Sequence, residues 1–151
     1  MAYADFDFYR KTFYGDTLNE ENAGKWLSLA SDEIDILTFG RLTFAFPIID
    51  AHIVKVRKAV CAVAEALYNI DVYQRSVSAC QDEQGNYRGV VTSISSGRES
   101  ITYAVNANAS VYAKAASDAN EQSALIKDIA VKYLANIPDN TGINLLYAGV
   151  I

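Results

Sequence analysis

The chain predicts a mainly α fold: a small helical bundle around one long central helix, with a β-hairpin or extended loop before the last helix and an extended C-terminal tail. Three observations carry that expectation. Apolar residues recur at three- and four-residue steps in three separate segments, the signature of amphipathic helices. Between the second and third of these the period drops to two. The chain then closes on an apolar run, Leu145-Leu146-Tyr147-Ala148-Gly149-Val150-Ile151, which has to dock on its own domain or on a partner.

The elements follow in order. Residues 5–13 hold Phe6, Phe8, Tyr9 and Phe13, a short aromatic helical turn punctuated by Gly15-Asp16. Asn19 is placed to cap the first long helix, with Glu20 and Glu21 where the helix dipole favours anions. From there Ala23, Leu27, Ala30, Ile34 and Leu37 form one stripe, widened by Trp26, and the helix ends near Gly40. Residues 41–49 carry Pro47 and read as an apolar connector.

Asp50 is expected to cap the longest helix, from 50 to about 76, which would span roughly 40 Å. Ile53, Val56, Val60, Val63, Leu67 and Ile70 line its apolar face, while Ala59, Ala62 and Ala66 leave room for a close neighbour. Val90, Thr92 and Ile94, then Ile101, Tyr103 and Val105, alternate about Ser96-Gly97, which predicts a hairpin over about 89–105. The Ala/Asn/Ser-rich stretch 106–120 leads into a last helix capped by Asp118, with Leu125, Ile129 and Tyr133 on one face and Ile126 and Leu134 alongside. Pro138 disfavours helix at Ile137, so that helix ends near Asn136. The expected organisation is one helical domain over 1–136 and a docking tail over 137–151.

Composition narrows the function. A chain of 151 residues, 51% hydrophobic, is most simply one packed domain. Apolar runs are too short for a membrane helix, and the amino terminus has no basic region followed by an apolar stretch, so neither a span nor a signal peptide is expected. A net charge of −5 argues against a protein that grips nucleic acid through its phosphates. Cys61 and Cys80, nineteen residues apart on one helix, would sit roughly 28 Å from each other, so reduced thiols of a cytoplasmic product are expected.

The chemistry-bearing residues are sparse. No glycine-rich phosphate loop is present, His52 is the sole histidine, and the two cysteines are too far apart to share a metal. No catalytic, metal or cofactor site, and hence no enzyme, is expected. Asp32 and Asp35 share a helix face with Glu33 turned away, and Lys55, Arg57 and Lys58 form the one compact basic group. Each reads as a solvated face or as one side of a contact between subunits. Arg98 and Glu99 near the hairpin tip read the same way.

Four stretches carry a resemblance. Tyr9-Arg10-Lys11-Thr12-Phe13-Tyr14-Gly15, then Ala30-Ser31-Asp32-Glu33-Ile34-Asp35 closed by Leu37-Thr38-Phe39-Gly40-Arg41, resembles the start of the head–tail connector (adaptor, or head-completion) proteins of long-tailed bacteriophages and prophages. Ala59-Val60-Cys61-Ala62-Val63-Ala64-Glu65 is similar to their central helix. Ile94 to Ala104 looks like the loop or hairpin before their last helix, and Thr141 to Val150 like their ending. The likeness runs through nearly the whole chain in order, with 106–120 left unplaced.

The resemblance implies a structural virion protein rather than an enzyme. Adaptors of this kind form a ring, usually of twelve copies, beneath the portal protein, lengthen the DNA channel and carry the stopper or tail-completion protein. Genomic DNA would pass without sequence-specific binding, and an acidic ring would let it slide. In this chain Leu145, Leu146, Tyr147, Val150 and Ile151 would dock on the portal or a neighbour. Ile94, Arg98, Glu99, Ile101 and Tyr103 would make a hairpin contact between subunits, and Asp32 and Asp35 would pair with Lys55, Arg57 and Lys58 of the next copy. The expected location is the neck of a virion made in a bacterial cytoplasm. The alternatives are a stopper or tail-completion protein, favoured by a β-barrel, and a host helical binding module, favoured by a pocket with a perturbed acid at Asp32 or Glu65.

Overall fold

The structure, a computed structural model, describes residues 2–79 and 111–148. The expected hairpin over 89–105, Cys80, Val150 and Ile151 lie outside the described residues. The described chain is helical, without a strand: α1 (Phe6–Lys11), α2 (Glu20–Leu37), α3 (Arg41–Phe44), α4 (Asp50–Ala79), α5 (Val111–Ser117) and α6 (Ala119–Leu134). It divides into two compact units, Met1–Tyr68 with Ile126–Ile151 and Asn69–Leu125. The 30-residue α4 is the long central helix of a small bundle.

Local chemistry sets the boundaries. At the start of α2 the Asn19 side chain accepts from the Asn22 amide, and the Asn22 side chain accepts from the Asn19 amide, both at 2.9 Å. This reciprocal cap satisfies two amides that a helix start leaves open. Asp118 caps α6 as expected, accepting from the Asn120 amide at 2.8 Å. α4 differs: the Ile49 carbonyl accepts from His52 and Ile53, so Asp50 stands in the first turn rather than at the cap. There its charge still meets the positive end of the helix dipole. α6 ends at Leu134, and Asn136 follows in a left-handed conformation at φ 64°, a role Asn fills at modest cost.

The core of the first unit collects Ala23, Trp26, Leu27, Ala30 and Ile34 from α2, the predicted stripe. Against it lie Val56, Ala59, Val60, Val63 and Leu67 of α4 and Ile126, Ala130 and Leu134 of α6. The α6 face is rotated from expectation. Leu125, Ile129 and Tyr133 are only partly buried, with Ile129 and Tyr133 at the edge of the core, whereas Ile126, Ala130 and Leu134 are buried in it. Each fully buried Leu or Ile contributes about 1.5–3 kcal/mol.

Two further segments are more structured than their sequence suggests. The connector after Gly40 holds α3, and the stretch 106–120 holds α5. Within the second unit the Gln74 side chain donates to the Ala116 carbonyl at 3.3 Å, and Ile70 and Ala115 are buried.

α1 is fastened from inside. Tyr9 is fully buried, and its hydroxyl donates to Glu65 at 2.6 Å while accepting from the Thr17 and Leu18 amides at 2.9 Å each. Burial first, and then the bond to Glu65, push the phenol up to about 12, so it stays a neutral donor. Gly15 lies against this ring, and a methyl group there would overlap Cε2 and Cζ of Tyr9. No described helix is long and apolar enough to cross a membrane.

Candidate interaction surface

The segment joining α2 to α4 combines a firm anchor with unusual exposure. Leu42, Ala45 and Pro47 point inward, and Phe46 stacks on Tyr3 with ring centroids 5.5 Å apart. Ile36, Phe39, Phe44, Ile48 and Ile49 point outward and are 54–74% exposed. Summed over the five residues this is on the order of 600 Å² of exposed surface.

Phe39 is held there against its own backbone preference. α2 closes with the Gly40 amide donating to the Asp35 carbonyl at 2.8 Å and the Phe39 amide to Ile36 at 3.2 Å. This is the Schellman pattern, whose left-handed position ordinarily takes glycine. Here Phe39 occupies it at φ 55°, followed by Gly40 at φ 73°. A bulky L residue in this region costs about 1–2 kcal/mol relative to glycine. A strained aromatic whose ring faces solvent is the kind of outlier that function retains.

Below this surface α3 is bolted to the C-terminal stretch. Arg41 and Asp139 are both buried, and Nη1 lies 3.7 Å from Oδ2, an ion pair without a direct hydrogen bond. Arg41 Nη2 donates to the Tyr147 carbonyl at 3.0 Å, and the guanidinium lies over the Tyr147 ring at 5.9 Å. Arg41 Nε and Nη1 are buried without a hydrogen-bond partner among the described residues. Asp139 Oδ1 accepts from the Thr141 amide and hydroxyl and from the Ile143 amide, at 2.8, 2.6 and 3.0 Å. Burial disfavours the charged carboxylate, but these bonds and the Arg41 charge outweigh it and hold Asp139 below its ordinary value.

The C-terminal stretch, described to Ala148 and expected to be extended, instead turns back on itself, because Asp139 closes a loop through Thr141 and Ile143. Pro138 bridges Asn144, the Leu145 amide donates to Ile137, and the Asn140 amide donates to the Ala45 carbonyl. Leu145 is fully buried in the core of its own unit and Leu146 packs against that core, leaving Tyr147 as the outward ring. Of the residues assigned to docking, Leu145 is thus internal.

The charged residues separate into two groups. Asp32 is exposed, whereas Asp35 accepts from the Tyr3 hydroxyl at 2.6 Å. Burial, then that bond, raise the Tyr3 phenol, which stays protonated. Lys55 and Arg57 are exposed and Lys58 is partly buried, with Arg57 over the Phe8 ring at 5.8 Å. Among the described residues no ion pair joins Asp32 or Asp35 to these cations. Between Trp26 and Val54 the only Lys or Arg is the buried Arg41, alongside the acidic Asp32, Glu33, Asp35 and Asp50; the exposed Lys55 and Arg57 follow directly.

No His, Cys, Asp or Glu cluster fit to hold a metal occurs among the described residues, and His52 is partly buried. Cys61 is fully buried and its thiol is pushed up to about 12, chiefly by burial and then by the Glu65 charge, so it is a poor nucleophile. Sequence reasoning treated 41–49 as apolar linkage and missed the outward side chains. The available signal was the surplus: Phe39, Phe44 and the Ile48-Ile49 pair exceed what one inward-facing register can bury. No protein-family model matches this chain, and no curated protein or solved structure matches it either.

Proposed function

We propose that this chain is a structural assembly protein, an adaptor that docks as a ring on the portal of a long-tailed phage, extends the DNA channel and links the capsid vertex to the stopper or tail. The observation that carries the reading is the exposed apolar segment Ile36–Ile49 held on a buried clamp. A rigid anchor that presents large apolar side chains suits a protein contact, because little ordering entropy is lost on binding. The net charge of −5 suits a protein partner rather than a phosphate backbone.

The ordered likeness to adaptors supplies the finer reading of neck component, and Tyr147 with the residues after it supplies the portal-side contact. Residues 94–103 and the pairing of Asp32 with Lys55, Arg57 and Lys58 supply contacts between neighbours. Co-sedimentation with the portal ring of the same virus, comparing the full chain with a chain lacking residues 149–151 and with Tyr147→Ala, tests this reading, because both changes leave the buried Leu145 in place. Binding of one copy per portal subunit is expected from the full chain. Failure of the full chain to bind would assign it to a lower tail component or to a host binding module.

A further inference from the structure

We infer that Ile137–Tyr147 is a strap that opens from α3 as one unit, turning about Asn136, and that Arg41 is its latch. The opening belongs to the single chain. Its use, exposing Leu145 and Leu146 to a partner, rests on the assembly reading above. Internal bonds tie these residues together. The Asp139 amide donates to the Ile143 carbonyl at 2.7 Å and the Leu145 amide to Ile137 at 2.9 Å. Asp139 Oδ1 gathers Thr141 and Ile143, and Asn144 Oδ1 accepts from the Leu146 amide at 2.8 Å.

The polar fastenings to the rest of the unit fall on two places. At the root the Ile137 amide donates to Leu134 at 3.1 Å, beside the left-handed Asn136 at φ 64°. Beyond the root, those among the described residues all lie within Arg41–Ala45. The Asn140 amide meets the Ala45 carbonyl at 3.1 Å, and Arg41 meets Asp139 and the Tyr147 carbonyl.

The latch is incompletely bonded. Arg41 and Asp139 stand 3.7 Å apart without a direct hydrogen bond, and Arg41 Nε and Nη1 are buried with no partner among the described residues. Water satisfies such donors when the strap lifts, which favours release. The burial of Leu145 opposes it. The open form is therefore a minor state, but more frequent than global unfolding, because α1 and α2 keep their packing. It uncovers Leu145 and Leu146 together, so docking by this stretch becomes an exchange between the chain's own core and a partner's surface.

Native-state hydrogen exchange of the full chain, read by NMR, tests the strap. Once lifted, so short a turn does not hold its own bonds in water, so its amides exchange together. The amides of Asp139, Asn140 and Leu145 are expected to share one opening constant, about tenfold or more above that of the α2 and α4 core amides of Ile34 and Val60. Gly15→Ala, which strains α1 alone, is expected to speed Ile34 and Val60 about fivefold or more and leave the strap amides within about twofold. Asp139→Asn keeps a side-chain oxygen for Thr141 and Ile143 but removes the charge, and is expected to speed the strap amides about tenfold or more. Strap amides that follow Ile34 and Val60 in Gly15→Ala would overturn the inference, since the stretch would then open only with the whole unit. Unrelated rates at Asp139, Asn140 and Leu145 would overturn it too, and unchanged rates in Asp139→Asn would remove Arg41 as the latch. Portal binding is measured separately: a chain that opens this way yet ignores the portal would cost the adaptor reading and leave the strap standing.

Discussion

Arg41 and Asp139, far apart in sequence, meet as a buried pair 3.7 Å apart, and Arg41 Nη2 donates to the Tyr147 carbonyl. One carboxylate thus closes the 139–143 loop with its Oδ1 and faces the α3 cation with its Oδ2. Asp139→Asn would leave Arg41 buried without a counter-charge, and a loss of about 3–5 kcal/mol in chemical denaturation is expected. A pair worth little would show a loss below about 1 kcal/mol.

The same carboxylate makes a pH prediction. Its folded value lies below the ordinary 3.8, so its contribution is fully present above pH 3.8 and is lost as pH falls through the lower folded value. Wild-type stability is therefore expected to fall more steeply below pH 4 than that of Asp139→Asn. Parallel acid profiles for the two proteins would contradict the linkage.

Tyr9 and Gly15 give a packing prediction. The ring cannot retreat, because its hydroxyl is held by Glu65 and two amides. Gly15→Ala is expected to cost about 1–3 kcal/mol through overpacking. Tyr9→Phe is expected to cost about the same by stranding the Thr17 and Leu18 amides. Thermal melts of both variants, compared with an exposed control such as Gly24→Ala, where an added methyl meets nothing, check this.

Phe39 separates stability from assembly. Phe39→Gly relieves the left-handed strain and is expected to stabilise the isolated chain by about 1 kcal/mol. For a protein of this size that raises Tm by about 2–4 °C. It is also expected to weaken the protein contact proposed for this surface, since the exposed aromatic side chain is lost. A variant that is less stable and assembles normally would show that Phe39 serves the fold alone.

Much of this architecture was legible in local pattern. The stripe Ala23-Leu27-Ala30-Ile34, the caps at Asn19 and Asp118 and the long central helix all follow from periodicity and capping chemistry. What stayed hidden is non-local. Asp139 reads as part of a polar turn and Arg41 as a residue after a helix, and no spacing announces that they meet. Leu145 reads as a free docking residue because an apolar tail looks the same in sequence whether it seats on its own core or on a partner's. The outward Phe39, Phe44 and Ile48 escaped for the converse reason: an apolar side chain is expected inside until a core is seen to be full.

The adaptor reading is tested most directly by imaging the neck of particles whose genome encodes this chain, by cryo-electron microscopy at side-chain resolution. A ring of this chain between portal and tail is expected, with Phe39, Phe44 and Ile48 buried in a protein contact. A complete neck in which every component is accounted for by other proteins would contradict it.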